Sequence, residues 1–417
     1  MATEWFKPRR YRHFDRPVCT EFAAKVQDPK FVASHSFSPL IRYLKIEKRY
    51  RKDQKKTIEK ERPIMYASHR DACILSWYAS VLNAKLETFY HENGLRDCVI
   101  AYRKLEKGNY DFASEANAFA SANSPVYILA FDVTKFFDNL DHKLLKLRLK
   151  AVLGVSELSE DWYKVFRAIT RYHYVALTEL SAHPEFGERM QRRDRRPIAT
   201  IAELKSARIK FHPNSTAGVG IPQGTPISAV LSNLYMIEFD REMQAYAIAS
   251  GGFYRRYSDD ILFICRAGRA PEVQAKVEEL ISRERLSLND TKTERHLFDL
   301  SCDLKAERRA AQYLGFTFGV DGVGIRASSL SRQWRKMRRA IKRIGKVAEA
   351  AIAAGRSNKV HTKRLRRRFT AVPVRNFPSY ARRSAGAFQN SSRIRQQLRK
   401  FERAAEREIQ SLESIRS

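Results

Sequence analysis

Residues 254–264 read YRRYSDDILFI. Aromatic and aliphatic residues flank a polar centre. This is the pattern of strand, tight turn and strand over residues 252–265, with Ser258, Asp259 and Asp260 at the turn. Adjacent carboxylates repel, and the strand formers on either side draw the turn against a sheet. Either the pair is an exposed turn, where Asp is common, or cations neutralise it. The apolar flanks favour cations.

A second acid stands in similar company. Residues 126–131 (VYILAF) form a short apolar run of strand formers that ends at Asp132. Asp132 is either the N-cap carboxylate of the next helix or a metal ligand at a strand end, beside a backbone carbonyl that can also bind metal. Joining nucleotides requires two divalent ions about 3.5–4 Å apart. Hard ions such as Mg²⁺ take oxygen ligands, so two or three Asp must sit on rigid neighbouring elements. Asp132, Asp259 and Asp260 are the candidates.

The charge balance names the partner class. Lys and Arg total 78 against 46 Asp and Glu, a formal charge of +32. That surplus calls for a polyanion, and nucleic acid is the commonest one. A binder without chemistry fits the charge equally well. Hydrophobic residues make up 43% of 417 residues, enough for about two or three packed subdomains. The cysteines at 19, 73, 98, 265 and 302 contain no Cys-x-x-Cys pair. That argues against a zinc ribbon and suits a reducing cytosol. No apolar leader opens the sequence and no run reaches roughly 18 apolar residues. The expectation is a cytoplasmic protein with no membrane partner.

Along the chain, the basic run 42–60 reads as a mobile finger or a helix face. Residues 64–90 show apolar positions at helical spacing. A helix is expected over 140–153, its apolar side formed by Leu140, Leu144, Leu147 and Leu149. The charged stretch 181–212 reads as a surface insertion, partly helical. A Gly/Pro-punctuated loop over 218–224 leads into a helix over 227–246. A helix over 271–285 and a strand over 313–318 come next. From 328 the chain turns basic and helical. Trp334, Met337, Ile341 and Ile344 form one stripe. Ile394, Leu398, Phe401, Ala405, Ile409 and Leu412 form another.

The pieces FDVTKFFDNLDH, GIPQGTPISAVLSNLYM and YRRYSDDILFI resemble the successive palm motifs of reverse transcriptases. ERPIMYASHRDA resembles the fingers motif of the bacterial intron-like branch, and LSLNDTKT and YLGFTF resemble the next two motifs. The resemblance spans about residues 60–320. Several motifs in order are far more specific than one short pattern. It implies an α+β right-hand polymerase with fingers, palm and thumb. The expected divisions are a basic extension at 1–60, fingers at 61–125, a palm at 126–327 holding the 181–212 insertion, and a basic helical thumb at 328–417.

By the same resemblance, Asp132 and Asp259 bind both of two Mg²⁺ ions, with Asp260 in support. Val133 joins the substrate-binding set. Phe137 stands where a steric gate selects dNTPs, and a core aromatic role is compatible with that. Gln223 and Gly224 meet the incoming nucleotide and the template. Arg62 grips the triphosphate, while Arg70 is a second candidate or a structural residue. Lys292 protonates leaving pyrophosphate or is a solvated surface lysine. Tyr313, Leu314, Gly315 and Phe316 form the primer grip.

YRHFDRP, SHSFSPL, RPIMYASHRDA and VIAYRKLEKGNYDFA resemble defence-associated antiphage reverse transcriptases of the type-two class. That resemblance implies a structured noncoding RNA template copied into cDNA. A group II intron-type maturase and a non-catalytic RNA-binding protein on a polymerase fold are the alternatives. Phe137 disfavours an RNA-dependent RNA polymerase.

Overall fold

The computed structural model describes residues 4–51, 56–192, 194–214, 216–301, 310–319, 322–370 and 374–414. Its strands are β1 (Leu40–Arg51), β2 (Lys56–Tyr66), β3 (Val126–Asp132), β4 (His173–Ala176), β5 (His212–Pro213), β6 (Phe253–Tyr257), β7 (Asp260–Arg266), β8 (Glu294–Phe298), β9 (Ala311–Tyr313), β10 (Phe316–Gly319) and β11 (Gly322–Ile325). Among the described residues they form sheets of order β2-β1-β4-β5, β6-β7-β3-β8 and β11-β10-β9.

The β6-β7-β3-β8 sheet is the centre of the molecule. β7 is apolar from Ile261 to Cys265 and buried on both faces, the composition of an interior strand. On one face, Leu129, Phe131, Ile261 and Phe263 pack with Leu234, Phe239 and Met243 and with Val273, Val277 and Ile281. These come from the helices Ser228–Tyr235, Ile237–Ser250 and Ala270–Arg283. On the other, Ile128, Leu262 and Ile264 meet Phe112 and Ala116 of the helix Asn109–Ala122 and Phe316 of β10. Each such side chain contributes roughly 1.5–3 kcal/mol on burial.

The C-terminal stripes become helices as their spacing requires. Met337 and Ile341 of Ala327–Ala353 pack on Phe401, Ala405, Ile409 and Leu412 of Ser392–Glu413. Ile394 and Leu398, at the start of the latter helix, pack instead with the β9–β11 sheet.

Several local expectations need correction. Residues 42–60 do not form a helix face: β1 and β2 pair as a long antiparallel ribbon, with Arg42 opposite Met65 and Lys45 opposite Arg62. Residues 52–55 lie outside the described residues. A division at residue 60 falls inside β2. The segment before it is packed: Trp5, Phe6, Val18 and Phe14 join the cores. Helical spacing holds from His69 to Glu92, but residues 64–66 belong to β2. The helix His142–Leu153 buries Leu145 and Leu149, whereas Leu147 is exposed. Arg148 takes the inward place, ion-paired with Glu284 and lying over the Tyr235 ring. The expected helix over 227–246 is two helices broken at Met236. The strand expected over 313–318 splits into β9 and β10, because Leu314 and Gly315 both take positive φ, 45° and 92°.

The 181–212 stretch is more than a surface excursion. It holds the helices Pro184–Gln191 and Ile201–Ser206, and Phe186, Ile198, Ala199 and Leu204 build a core with Phe14, Ile41 and Val175. Its charge hid that core: charged residues separate the apolar ones, so no long apolar run forms.

Candidate active site

The β3–β7 register sets Asp132 directly opposite Asp260. Opposed residues of an antiparallel pair share a face, with Cβ atoms about 4.5–5.5 Å apart. Asp259 joins them through a two-residue turn between Tyr257 and Asp260. Ser258 takes φ 59° there, a left-handed conformation that a hairpin of this length demands at its first turn position. The N–H of Val133 donates to the Asp259 carbonyl at 3.2 Å, fastening the turn to the end of β3.

The electrostatics arise from this crowding. Burial, then the charges of Asp259 and Asp132, raise the Asp260 carboxyl to about 6. Burial raises Asp259 as well, with Asp132 adding to it and Lys292 opposing. The Asp132 carboxylate pairs with the Lys292 ammonium. Among the described residues, neither Asp259 nor Asp260 has an ion-pair partner, and no group of three or more His, Cys, Asp or Glu closes into a ready ligand set. The donor chemistry nevertheless suits a hard divalent cation: three oxygen ligands on adjoining strands carry more negative charge than Lys292 offsets.

Lys292 is carried by the loop after residue 286, which is sewn to β3. Thr134 donates its N–H to the Ser287 carbonyl, and Asn289 donates to the Asp132 carbonyl, each at 2.8 Å. The Asp132 carbonyl is therefore already engaged.

Gln223 and Gly224 dock on β2. The Met65 N–H donates to the Gln223 carbonyl at 2.8 Å. Gly224 has φ 118°, and a Cβ there would sit 2.6 Å from the Met65 carbonyl oxygen. Only glycine admits that approach. The same β2 carries Arg62, so the ribbon and the loop form one unit. Phe137 comes after Phe136 in a short turn, Phe136–Asp138. Phe136 is buried, whereas Phe137 is only partly buried against the core.

Arg70 is engaged elsewhere, and the 313–316 segment supports the Asp260 strand from the second core. The Arg70 guanidinium lies 5.8 Å over the Phe22 ring, and the Arg70 backbone N–H donates to the Asp15 carboxylate. Tyr313 and Phe316 are buried in the second core, which leaves the Leu314–Gly315 turn as the part of that segment nearest solvent.

Residues that sequence reasoning passed over hold the turn from beneath. Arg256 is fully buried and bonds the Asp240 carboxylate through two nitrogens, at 2.7 and 2.6 Å. It also donates to the Ser258 carbonyl at 3.0 Å and to Asn233 at 3.3 Å. Tyr254 donates to Asp240 at 2.6 Å, and Tyr102 donates to the Ser258 hydroxyl at 3.1 Å. A signal existed: Tyr254 and Arg256 alternate inward along β6, so an arginine occupies a core position.

Residues 54–318 match the family described as reverse transcriptase (RNA-dependent DNA polymerase). The chain belongs to the reverse transcriptase family. A telomerase from Candida albicans, in complex with a TWJ fragment of telomeric RNA, shares its fold at TM-score 0.50 and 12% identity. That match covers 95% of this chain and 59% of that one, so this chain spans less than two thirds of its neighbour's length. A truncated apo telomerase from Candida tropicalis matches at TM-score 0.45 and 12% identity, over 69% of this chain and 56% of that one. The RNA-dependent RNA polymerase of a human picobirnavirus matches at 0.40 and 12%, over 68% and 44%. Comparison with curated proteins finds no match. No helix among the described residues is long and apolar enough to cross a membrane.

Proposed function

We propose that this reverse transcriptase-family chain is an RNA-directed DNA polymerase that copies a structured noncoding RNA into cDNA in antiphage defence. The observation that carries the polymerase reading is the opposition of Asp132 and Asp260 across β3 and β7, with Asp259 at the adjoining turn. A scaffold that only bound RNA would have no use for carboxylates that burial, and then their mutual repulsion, raise in two cases. The three would hold two Mg²⁺ ions, which supply activation of the primer hydroxyl and charge neutralisation at the triphosphate.

The remaining residues bind and orient. The planar fork of Arg62 suits a triphosphate oxygen pair. The partly buried Phe137 ring is placed to exclude a ribose 2′-hydroxyl. Lys292, already beside Asp132, is a proton source for the departing pyrophosphate. The positively charged helices after residue 327 hold duplex phosphates without reading bases. The defence reading rests on the resemblance of residues 11–17, 34–40, 62–72 and 99–113 to antiphage relatives.

Replacing Asp259 and Asp260 together with Ala tests the polymerase reading. Incorporation of dNTPs on a primed RNA template should vanish while RNA affinity stays within about twofold. Unchanged incorporation would overturn it. Sequencing the nucleic acid that copurifies with the protein tests the template: one recurrent structured RNA with its complementary DNA supports the reading, and unrelated RNA refutes it.

A further inference from the structure

Between the main core and the core of the 181–212 segment lies a cavity of about 290 Å³. Phe37, Tyr172 and Phe211 line it, together with Arg171 and His173. Phe37 and Tyr172 pack on the main core, whereas Phe211 packs on the other. The cleft is therefore a seam between two independently filled cores, and neither core fills it.

Its lining has an unusual chemistry for a packing fault. Three aromatic rings border one space, yet none of them forms a ring pair with another among the described residues. Arg171 and His173 are exposed, and neither side chain has an acidic partner among the described residues. Aromatic faces beside an unneutralised guanidinium match a base with its phosphate: the ring stacks and the phosphate meets Arg171. The volume lies at the small end of ligand pockets, which run roughly 300–1,000 Å³. That suits one heterocycle rather than a run of them.

The cavity also adjoins the nucleotide loop. The Tyr172 hydroxyl donates to Asn214 Oδ1 at 3.1 Å, and Asn214 Nδ2 donates to the Val219 carbonyl at 2.9 Å. Val219 leads directly into the Pro-Gln-Gly segment that holds Gln223.

We propose that this cleft accepts one unpaired base of a single-stranded nucleic acid, stacked among Phe37, Tyr172 and Phe211, with its phosphate held by Arg171. The strand is the template ahead of the copied position, and in that respect the inference rests on the polymerase reading. Base identity is not read, because stacking accepts every base face.

The test uses the full chain and a short oligoribonucleotide carrying a fluorescent purine analogue. Fluorescence quenching reports stacking, and titration gives Kd. Phe211→Ala and Arg171→Gln should each weaken single-stranded binding about tenfold, with affinity for a blunt RNA–DNA duplex changed less than about twofold. Phe211→Trp should retain both quenching and affinity. Unchanged single-stranded affinity in both variants overturns the site, as does an equal loss on the blunt duplex. Displacement of the strand by free AMP at equal affinity also overturns it, since the site would then serve a mononucleotide. Should Phe211→Ala unfold the neighbouring core, Arg171→Gln at an exposed position still decides the matter. Wild-type dNTP incorporation is measured in parallel: its absence refutes the polymerase, whereas quenching alone judges the cleft.

Discussion

Arg256 and Asp240 form a two-pronged ion pair with no solvent exposure on either side chain, directly beneath the Ser258 turn. A buried pair is costly to assemble, yet removing one partner strands the other charge and costs about 3–5 kcal/mol. Arg256→Ala should therefore lower unfolding free energy by that amount in denaturant titration. Arg256→Lys keeps a charge but loses the fork and the bond to the Ser258 carbonyl. It should leave a folded protein with at least tenfold slower incorporation. Stability within about 0.5 kcal/mol of wild type in Arg256→Ala would contradict the role assigned to this pair.

The acids proposed to hold metal work against folding. Asp260 is raised to about 6 by burial and by its two neighbours, so its ionised form opposes the folded state above that pH. Asp260→Asn removes the repulsion. Neighbouring atoms crowd the Asp260 carboxyl, yet the residue keeps an open surface at the strand end, so solvent screening reduces the gain to about 1 kcal/mol. In chelator at neutral pH the variant should melt higher than wild type while losing incorporation; a lower melting temperature would count against mutual repulsion.

Gly224 is the contact between the Pro-Gln-Gly loop and β2. With φ 118° and the Met65 carbonyl 2.6 Å from any Cβ, Gly224→Ala must push the loop away. The expected effect is a loss of about 1–3 kcal/mol and a raised KM for dNTPs, read by calorimetry and steady-state kinetics. A neutral substitution would mean that the docking of Gln223 on β2 does not matter.

Phe137 is partly buried, so truncation should act twice. Phe137→Ala should raise ribonucleotide incorporation relative to dNTPs and lower stability by about 1–2 kcal/mol, less than a fully buried ring would lose. An unaltered NTP/dNTP ratio would remove the gate and leave only the packing role.

The acids, the loop and both C-terminal stripes could be read from the sequence because each is local. Strand ends, turn residues and helical spacing all lie within a few positions of one another. What escaped was long-range. Nothing near residue 42 announces that Lys45 will face Arg62, because a ribbon register is decided by the partner strand. Arg148 is paired only because the fold brings Glu284, 136 positions later in the chain, to it. Leu147 matched a leucine-rich pattern, yet the helix turns it outward. Arg256 was masked by the acids beside it, although its inward position on β6 was computable from alternation alone.

His13 supplies a pH prediction. Its Nδ1 accepts the Phe14 N–H at 2.8 Å, and its Nε2 lies 3.2 Å from the Tyr66 carbonyl, which selects the neutral ring. Burial holds its pKa well below the usual range, against the attraction of Asp15. The unfolded chain takes up that proton below about pH 6.5. It therefore binds more protons than the folded chain in that range, and stability falls as pH drops, by up to about 1.4 kcal/mol per pH unit. His13→Gln should flatten the acid limb of a stability–pH curve by close to one proton. An identical curve would show that His13 titrates alike in both states.

The helix Ser392–Glu413 is shared between two cores: Ile394 and Leu398 serve the one beneath the central sheet, and Phe401 to Leu412 serve the other. A stop codon or protease cut just before residue 392 would thus do more than shorten a clamp. It would strip a wall from the core on which both β10 and the Asp260 strand rest. Loss of residues 392–417 is then expected to yield an insoluble polypeptide rather than a shortened but folded chain.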